Sequence, residues 1–354
     1  MTKGQFVNVK KILLVGNFNN NPKIYTYASS FYKAMHCNAM QNLGLTVEKF
    51  NYKNSKFNTP ILKNIIGVRL INYSLLRTVK TFKPDLIFML KADNITAKTL
   101  NNIKTNNKNI KIINFYPDNP FTFWNGNSNA NILLSLPVYD LFLIWSHQLI
   151  PILYSSGAKN VRYFPFGFDE SIFSQEIQLS ENDHTKYQSD ICFVGSWDAE
   201  REAWLTKLMH KIPALNLAIW GNRWNENLPQ NSILKTYLKG CAIYGIDMMK
   251  AFRLSKIVLN FIRKQNLDAH NMRTIEVAAC KSFLLTERTK DQAELLFKEG
   301  VSIECFKDID DLTSKINFYL SNHNARATIT QNGYEEAQKY SIENLLLETF
   351  KKFI

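Results

Sequence analysis

Paired cysteines, a glycine fingerprint for dinucleotides and a membrane-length apolar run are all missing from this 354-residue chain, and each absence removes a class of protein. The five cysteines (Cys37, Cys192, Cys241, Cys280, Cys305) are odd in number, scattered and never spaced as Cys-x-x-Cys. That argues against a disulfide framework or a zinc knuckle and for a reducing compartment. The most apolar run, Ile132 to Trp145, is broken by Pro137 and Asp140 and falls short of the roughly 18 residues that a membrane span needs. Met1 to Lys11 is polar and lacks the apolar core of a signal peptide. The expectation is a soluble cytoplasmic protein. Without Gly-x-Gly-x-x-Gly, nicotinamide or flavin binding is poorly supported. There is no Ser-His-Asp order, no His-x-x-x-His and no carboxylate cluster that requires a metal, so neither cofactor nor metal is expected.

What the chain does have is positive charge: 43 basic against 30 acidic residues, a formal +13. Such an excess invites a nucleic-acid or acidic-membrane reading. The basic residues are spread out, however, and no block of five or six appears. Many lysines sit among asparagines, as at Lys104–Lys111. Dispersed solvated charge is the plain reading. Peripheral contact with an anionic inner membrane face is the functional alternative, and a nucleic-acid partner is disfavoured. A hydrophobic content of 45% and 13% aromatics mark a globular chain, long enough for two domains.

Apolar and polar segments alternate as strand, loop, helix, strand. Lys11–Gly16 reads as a strand, Asn17–Pro22 as a polar loop, Tyr25–Leu43 as a helix and Thr46–Phe50 as a strand. Further strands are predicted at Leu86–Met89, Ile110–Tyr116, Leu141–Trp145 and Val161–Phe164, with helices at Ile71–Thr81 and His147–Ser155. The pattern then restarts, because Asp190-Ile-Cys-Phe-Val-Gly195 mirrors Lys11-Ile-Leu-Leu-Val-Gly16. A helix (Glu200–His210), strands at Leu217–Gly221 and Ile257–Phe261, a helix (Met272–Cys280) and a strand (Ser282–Thr286) follow. A weak strand at Ser302–Cys305 and helices at Asp308–Ser321, Asn324–Lys339 and Ile342–Phe353 close the chain. Two α/β halves with parallel sheets are implied, joined near the polar, acidic stretch Gly167–Gln188. Ligands are expected at the carboxyl ends of the strands.

The richest stretch is Asp268 to Arg288. A loop offering Asp268, His270 and Asn271 precedes a helix that Asn271 is placed to cap. Helix N-termini suit anions such as phosphate, and Arg273 adds a forked donor for phosphate oxygens. Glu276, three residues on, shares its face and can accept two hydroxyls, as from a ribose. The alternative is a surface ion pair between the two, worth about 0.3–0.5 kcal/mol. Arg201, six residues after Gly195, and Arg263, after the Ile257–Phe261 strand, are further phosphate candidates; a lone surface arginine is the plain alternative for each. Asp118, in Tyr116-Pro-Asp-Asn-Pro120, stands at a strand end where it can take a proton from an acceptor hydroxyl, or else make an ordinary Pro-flanked turn. His147 lines the same side or is structural. Asp308–Asp311 reads as a helix N-terminus rather than a metal site.

These pieces resemble the GT-B glycosyltransferases, and within them the CgeB-like (spore-maturation-protein-like) branch. The resemblance is carried by Tyr116–Pro120, by Gly157-Ala-x-x-Val-x-x-Phe-Pro-Phe-Gly167-Phe-Asp169 and by Asp190–Leu205 with Arg201. Leu259–Arg263, Asn271-Met-Arg-Thr-Ile-Glu276 and Phe283-Leu-Leu-Thr-Glu287 complete it. It implies two Rossmann-like domains facing across a cleft: residues 1–170 on the acceptor side, with Gly16, Asn17 and His147, and 171–338 holding a nucleotide-sugar donor. The last helix, 339–354, crosses back to the first domain. The resemblance places Glu276 on the donor ribose and Arg273 beside the diphosphate or sugar, with Gly195, Arg201, Arg263, His270, Asn271 and Thr274 around them. Asp268 and Glu276 look like the paired acidic positions of retaining Glu-x7-Glu enzymes, with Asp in the first place. Lys281 stands where the family has Gly, and a left-handed backbone there would cost on the order of 1 kcal/mol.

The implied activity is hexosyl transfer from a nucleotide sugar to an acceptor hydroxyl on a glycan, lipid-linked carrier or protein, in envelope polysaccharide or glycan assembly. A helix dipole supplies about 0.3–1 kcal/mol and one guanidinium at ~4 Å roughly 4 kcal/mol. A helix end with Arg273 and Arg201 or Arg263 can therefore stand in for Mg²⁺. The alternative is a non-catalytic sugar-nucleotide or glycan-binding protein, or an assembly factor, on the same scaffold.

Overall fold

The computed structural model describes residues 9–18, 27–52, 66–121 and 130–353, with side chains throughout except at 27–34 and 66. The start of the helix expected from Tyr25, and most of the asparagine-rich loop Asn17–Asn21, lie outside the described residues. The chain divides into two compact units. The first is Met1–Pro165 together with Ile342–Ile354, and the second is Phe166–Ser341.

In the first unit the strands are β1 (Lys11–Gly16), β2 (Thr46–Asn51), β3 (Leu86–Leu90), β4 (Lys111–Tyr116), β5 (Leu141–Ile144) and β6 (Val161–Tyr163). They pair in parallel in the order β2-β1-β3-β4-β5-β6. Leu-Ile-Phe-Met-Leu of β3 and Leu-Phe-Leu-Ile of β5 are buried at every position. Unbroken apolar runs of this kind belong to parallel strands covered on both faces. Edge strand β2, Thr-Val-Glu-Lys-Phe-Asn, buries only Phe50 fully. Helix Ile342–Phe353, amphipathic by its buried Ile342, Leu346, Thr349 and Phe350, packs here. Phe350 meets Phe88 edge-on at 6.3 Å, and Arg162 donates to the carbonyl of Lys352 at 3.1 Å.

The second unit holds β7 (Ser189–Val194), β8 (Leu217–Trp220), β9 (Leu238–Gly240), β10 (Ser255–Asn260), β11 (Leu284–Glu287) and β12 (Glu304–Phe306). Their order, β12-β11-β10-β7-β8-β9, is all parallel and is the doubly wound Rossmann arrangement read from its far edge. Direction reverses between β7 and β10, so the crevice at their carboxyl ends is the topological switch point. Strand β9 and helix Gly245–Arg253 carry no clear sequence signal, since β9 is a three-residue edge with Lys239 and Gly240 exposed. The polar joint around Gly167–Gln188 is not a bare linker. Asp169 caps a short helix at Glu170–Phe173, and Ser180 with Asp183 forms a reciprocal capping box for Glu181–Tyr187. Asp183 pairs with Lys250 at 2.8 Å, and the Tyr187 hydroxyl donates to Asp247 at 2.7 Å.

Candidate functional site

The carboxyl ends of β7 and β10 carry the first cluster. Helix Met272–Ala279 starts just after β10, and Asn271 caps it by accepting the Arg273 N–H at 3.0 Å. The same asparagine donates to the Asn260 side chain at 2.9 Å, which ties the helix start to the last residue of β10. Beneath lies a buried chain. Asn260 donates to Thr286 (3.0 Å), Thr286 and Thr274 both donate to the Gln292 side-chain oxygen (3.1 and 2.6 Å), and the Gln292 amide donates to the carbonyl of Glu287 (2.9 Å). A satisfied polar network of this kind holds the helix end rigid where it faces the switch point. Asn260, Thr286 and Gln292 were missed from the sequence. The one available signal is a polar residue ending an otherwise apolar strand.

Glycines 195 and 221 make room for the cluster. A Cβ on Gly195 would lie 2.9 Å from the Phe193 ring and 3.2 Å from Arg201 Nη1, and one on Gly221 would lie 1.9 Å from the Gly195 carbonyl oxygen. Arg201, on helix Ala199–Lys211, therefore folds back over the end of β7. It donates to the Ser196 carbonyl at 3.0 Å and stands 5.5 Å from the Phe193 ring. Its Nε is buried and takes no partner among the described residues. Arg273 Nε donates to the Val194 carbonyl at 3.3 Å, reaching the same strand end from the other side. Arg263 Nε lies 3.2 Å from Asp198 Oδ2, an ion pair whose angle is too poor for a hydrogen bond. Burial first, and then the charge of Arg263 and of Arg273, push the Arg201 guanidinium below its ordinary range, while Asp198 opposes them. Arg201 thus feels two further guanidinium groups, of which Arg263 pairs with Asp198 and Arg273 with Glu276.

Several of the candidate side chains are already engaged within the protein. Arg273 and Glu276 do pair, yet not on a surface: Glu276 is 1% exposed, while its arginine partner keeps 17% of its side-chain surface. His270 and Thr274 are fully buried. The imidazole Nε2 accepts the Phe166 N–H at 3.0 Å, which fixes the proton on Nδ1, and Thr274 belongs to the buried network. Asn271 has its side chain committed on both ends, so it positions the helix. Asp268, the first of the two acidic positions, accepts the Lys290 N–H at 2.7 Å, just before the helical turn Asp291–Leu296. Among the described residues no group of three or more His, Cys, Asp or Glu is arranged to hold a metal ion.

In the first unit, Gly16 and Asn17 end β1. Gly16 leaves space for the Phe18 ring, 2.8 Å from where a Cβ would be, and its carbonyl accepts the Tyr52 N–H at 3.1 Å. His147, past β5, stacks on Tyr163 with ring centres 3.7 Å apart. Asp118 is not an idle base, because Lys91 Nζ sits 2.5 Å from its carboxylate.

Comparison with known proteins agrees with this architecture. Residues 201–345 match a family model described as "Glycosyl transferase-like". No curated protein matches the sequence. Sucrose-phosphate synthase from Thermosynechococcus elongatus superposes with a TM-score of 0.69 at 12% identity, covering 97% of this chain and 98% of that one. A glycosyltransferase from Rickettsia africae gives 0.70 at 13%, covering 98% and 99%. HepE from Anabaena, solved in complex with UDP-glucose, gives 0.64 at 14%, covering 97% and 99%. The fold is of GT-B type, with two Rossmann-like α/β units. The family match covers residues 201–345, within which most of the second unit falls.

Proposed function

We propose that the chain transfers a hexose-type sugar from a nucleotide-sugar donor to an acceptor hydroxyl, as a CgeB-like enzyme of envelope polysaccharide or glycan assembly. It works on the cytoplasmic side, in peripheral contact with anionic membrane. The observation that carries the reading is the crowd of Arg201, Arg263 and Arg273 at the β7/β10 switch point beside a capped helix N-terminus. A buried guanidinium without a carboxylate partner is unfavourable until an anion arrives, and a nucleoside diphosphate supplies that anion. Charge grows on the diphosphate as the sugar leaves. Fixed cations then favour the transition state over the ground state without a divalent metal.

In the ligand-free protein Arg273 covers Glu276. Solvent reaches the covering guanidinium, so the pair opens by a side-chain swing: Arg273 exchanges carboxylate for phosphate, and Glu276 turns to the ribose hydroxyls. Gly195 keeps the strand end low enough for the diphosphate to approach. On the acceptor side Asp118 and Lys91 act as a fixed ion pair beside Gly16, Asn17 and His147.

UDP and UDP-glucose are the ligands to try first, since HepE structures hold both. Calorimetry should show UDP binding that Arg273→Ala and Glu276→Ala each weaken by tenfold or more, equivalent to about 1.4 kcal/mol. Wild-type affinity in both variants would remove the donor assignment. Slow release of free glucose from UDP-glucose without acceptor separates an enzyme from a pure binder.

A further inference from the structure

We propose that Asp93 is an acceptor-binding residue, at the centre of a site in the first unit that takes an uncharged, polyhydroxylated acceptor. The inference rests on the sugar-transfer reading and specifies its other substrate. The first sheet reverses direction between β1 and β3, so its switch point lies where Asn17 leaves one strand and Lys91-Ala92-Asp93 leaves the other.

That second exit is unusual. Lys91 and Ala92 have φ of 63° and 56°, a left-handed pair in residues that carry a Cβ. The turn is held from outside. Asn72 donates to the carbonyl of Asn94 at 2.8 Å and accepts the Thr96 N–H at 3.0 Å, while Asn131 donates to the Asp93 carbonyl at 2.9 Å. Strain that neighbours over-determine in this way collects at functional sites.

The fixed turn does nothing for the Asp93 carboxylate. The residue is 7% exposed, and its Oδ1 is sealed with no hydrogen-bond partner among the described residues. The adjacent cation, Lys91, is engaged with Asp118. Asn17 Oδ1, at the end of neighbouring β1, is likewise buried without a donor. Native proteins rarely leave such atoms unmet, and both orphans are acceptors. They call for hydroxyl or amine hydrogens, which a sugar brings in number. Among the described residues at the β3 exit, Asp93 and Asp118 stand with one ammonium, Lys91, a balance that disfavours phosphorylated or carboxylated acceptors. It is the electrostatic opposite of the arginine-lined edge in the second unit.

Asp93→Asn keeps the shape and removes the desolvated charge. Without any substrate, the variant should melt about 2 °C or more above wild type, because a buried carboxylate oxygen without a donor has gone. With saturating UDP, a panel of methyl hexosides at 100 mM, on the order of ten times a weak Kd, should include one that raises the wild-type melting temperature by about 2 °C. Glucose 6-phosphate should not do so. The variant should lose the glycoside shift and bind UDP unchanged by calorimetry. The inference is overturned if Asp93→Asn melts lower than wild type, if no neutral glycoside shifts wild type, if the charged sugar shifts it more, or if variant and wild type respond alike. Failure of wild type to bind UDP would instead sink the donor reading, leaving the substrate-free melting temperature to decide the role of Asp93.

Discussion

Arg273 and Glu276 are unequal partners, and truncating them tests different things. Arg273→Ala removes the guanidinium that pairs with a carboxylate only 1% exposed. Breaking a buried pair from one side costs about 3 kcal/mol, and urea unfolding should show a loss near that size. Glu276→Gln removes the charge and keeps the shape, so it should cost about 1 kcal/mol while still impairing UDP binding. Arg201 should behave in the opposite sense. Its charge is disfavoured by burial and by Arg263 and Arg273, so Arg201→Leu should stabilise the ligand-free protein by about 1 kcal/mol and weaken UDP at least tenfold. A variant both less stable and fully able to bind UDP would show that the arginine braces the fold. These side chains were legible because they are charged residues bordering apolar runs. Gln292 was not, since its partners Thr274 and Thr286 lie on other elements, and distance in sequence hides a hydrogen-bond network.

Helix Met272–Ala279 shows what an element's own sequence settles. Asn271 at its start and the apolar run behind it are enough to place it. Asn271→Ala should cost about 1 kcal/mol for the cap and about 1 more for the unsatisfied Asn260 oxygen beneath. Chemical denaturation should show a combined loss near 2 kcal/mol, and a loss below 0.5 would mean the network re-forms around water. At the other end the chain turns through Lys281 with φ of 56°, the left-handed conformation for which glycine is the easy choice. Its ammonium lies 4.6 Å from the centre of the Tyr334 ring, a cation–π contact that offsets part of the strain. Asp308, accepting the N–H groups of Asp310 and Asp311, heads its helix as the acidic run suggested. Segments that lean on neighbours were harder to see. Strand β9 has almost no apolar content, and the short helix Glu181–Tyr187 before β7 is fixed by its Asp183 and Tyr187 reaching Lys250 and Asp247 far along the chain.

For the molecule as a whole, acid should be destabilising through His36. The imidazole sits among the rings of Phe88, Phe115 and Phe164, with centres 5.7, 5.9 and 6.0 Å away. Burial pulls its pKa down to about 3. Between pH 6.5 and 3 the unfolded chain takes up a proton that the folded one refuses, so stability falls as pH drops. The slope reaches about 1.4 kcal/mol per pH unit. His36→Leu should flatten the difference in unfolding free energy between pH 6 and pH 5 by about that much. An unchanged slope would mean the folded protein accommodates the proton.

Helix Ile342–Phe353 closes the first unit, yet its codons follow the whole of Phe166–Ser341. At about 5–20 residues per second, a ribosome leaves the early sheet waiting roughly 10–35 s for the side chain that meets Phe88. Through that interval a nascent chain presents an unfinished greasy strip to chaperones and to its neighbours on the polysome. A stop codon placed before Ile342 would therefore be felt as misfolding of the part made first.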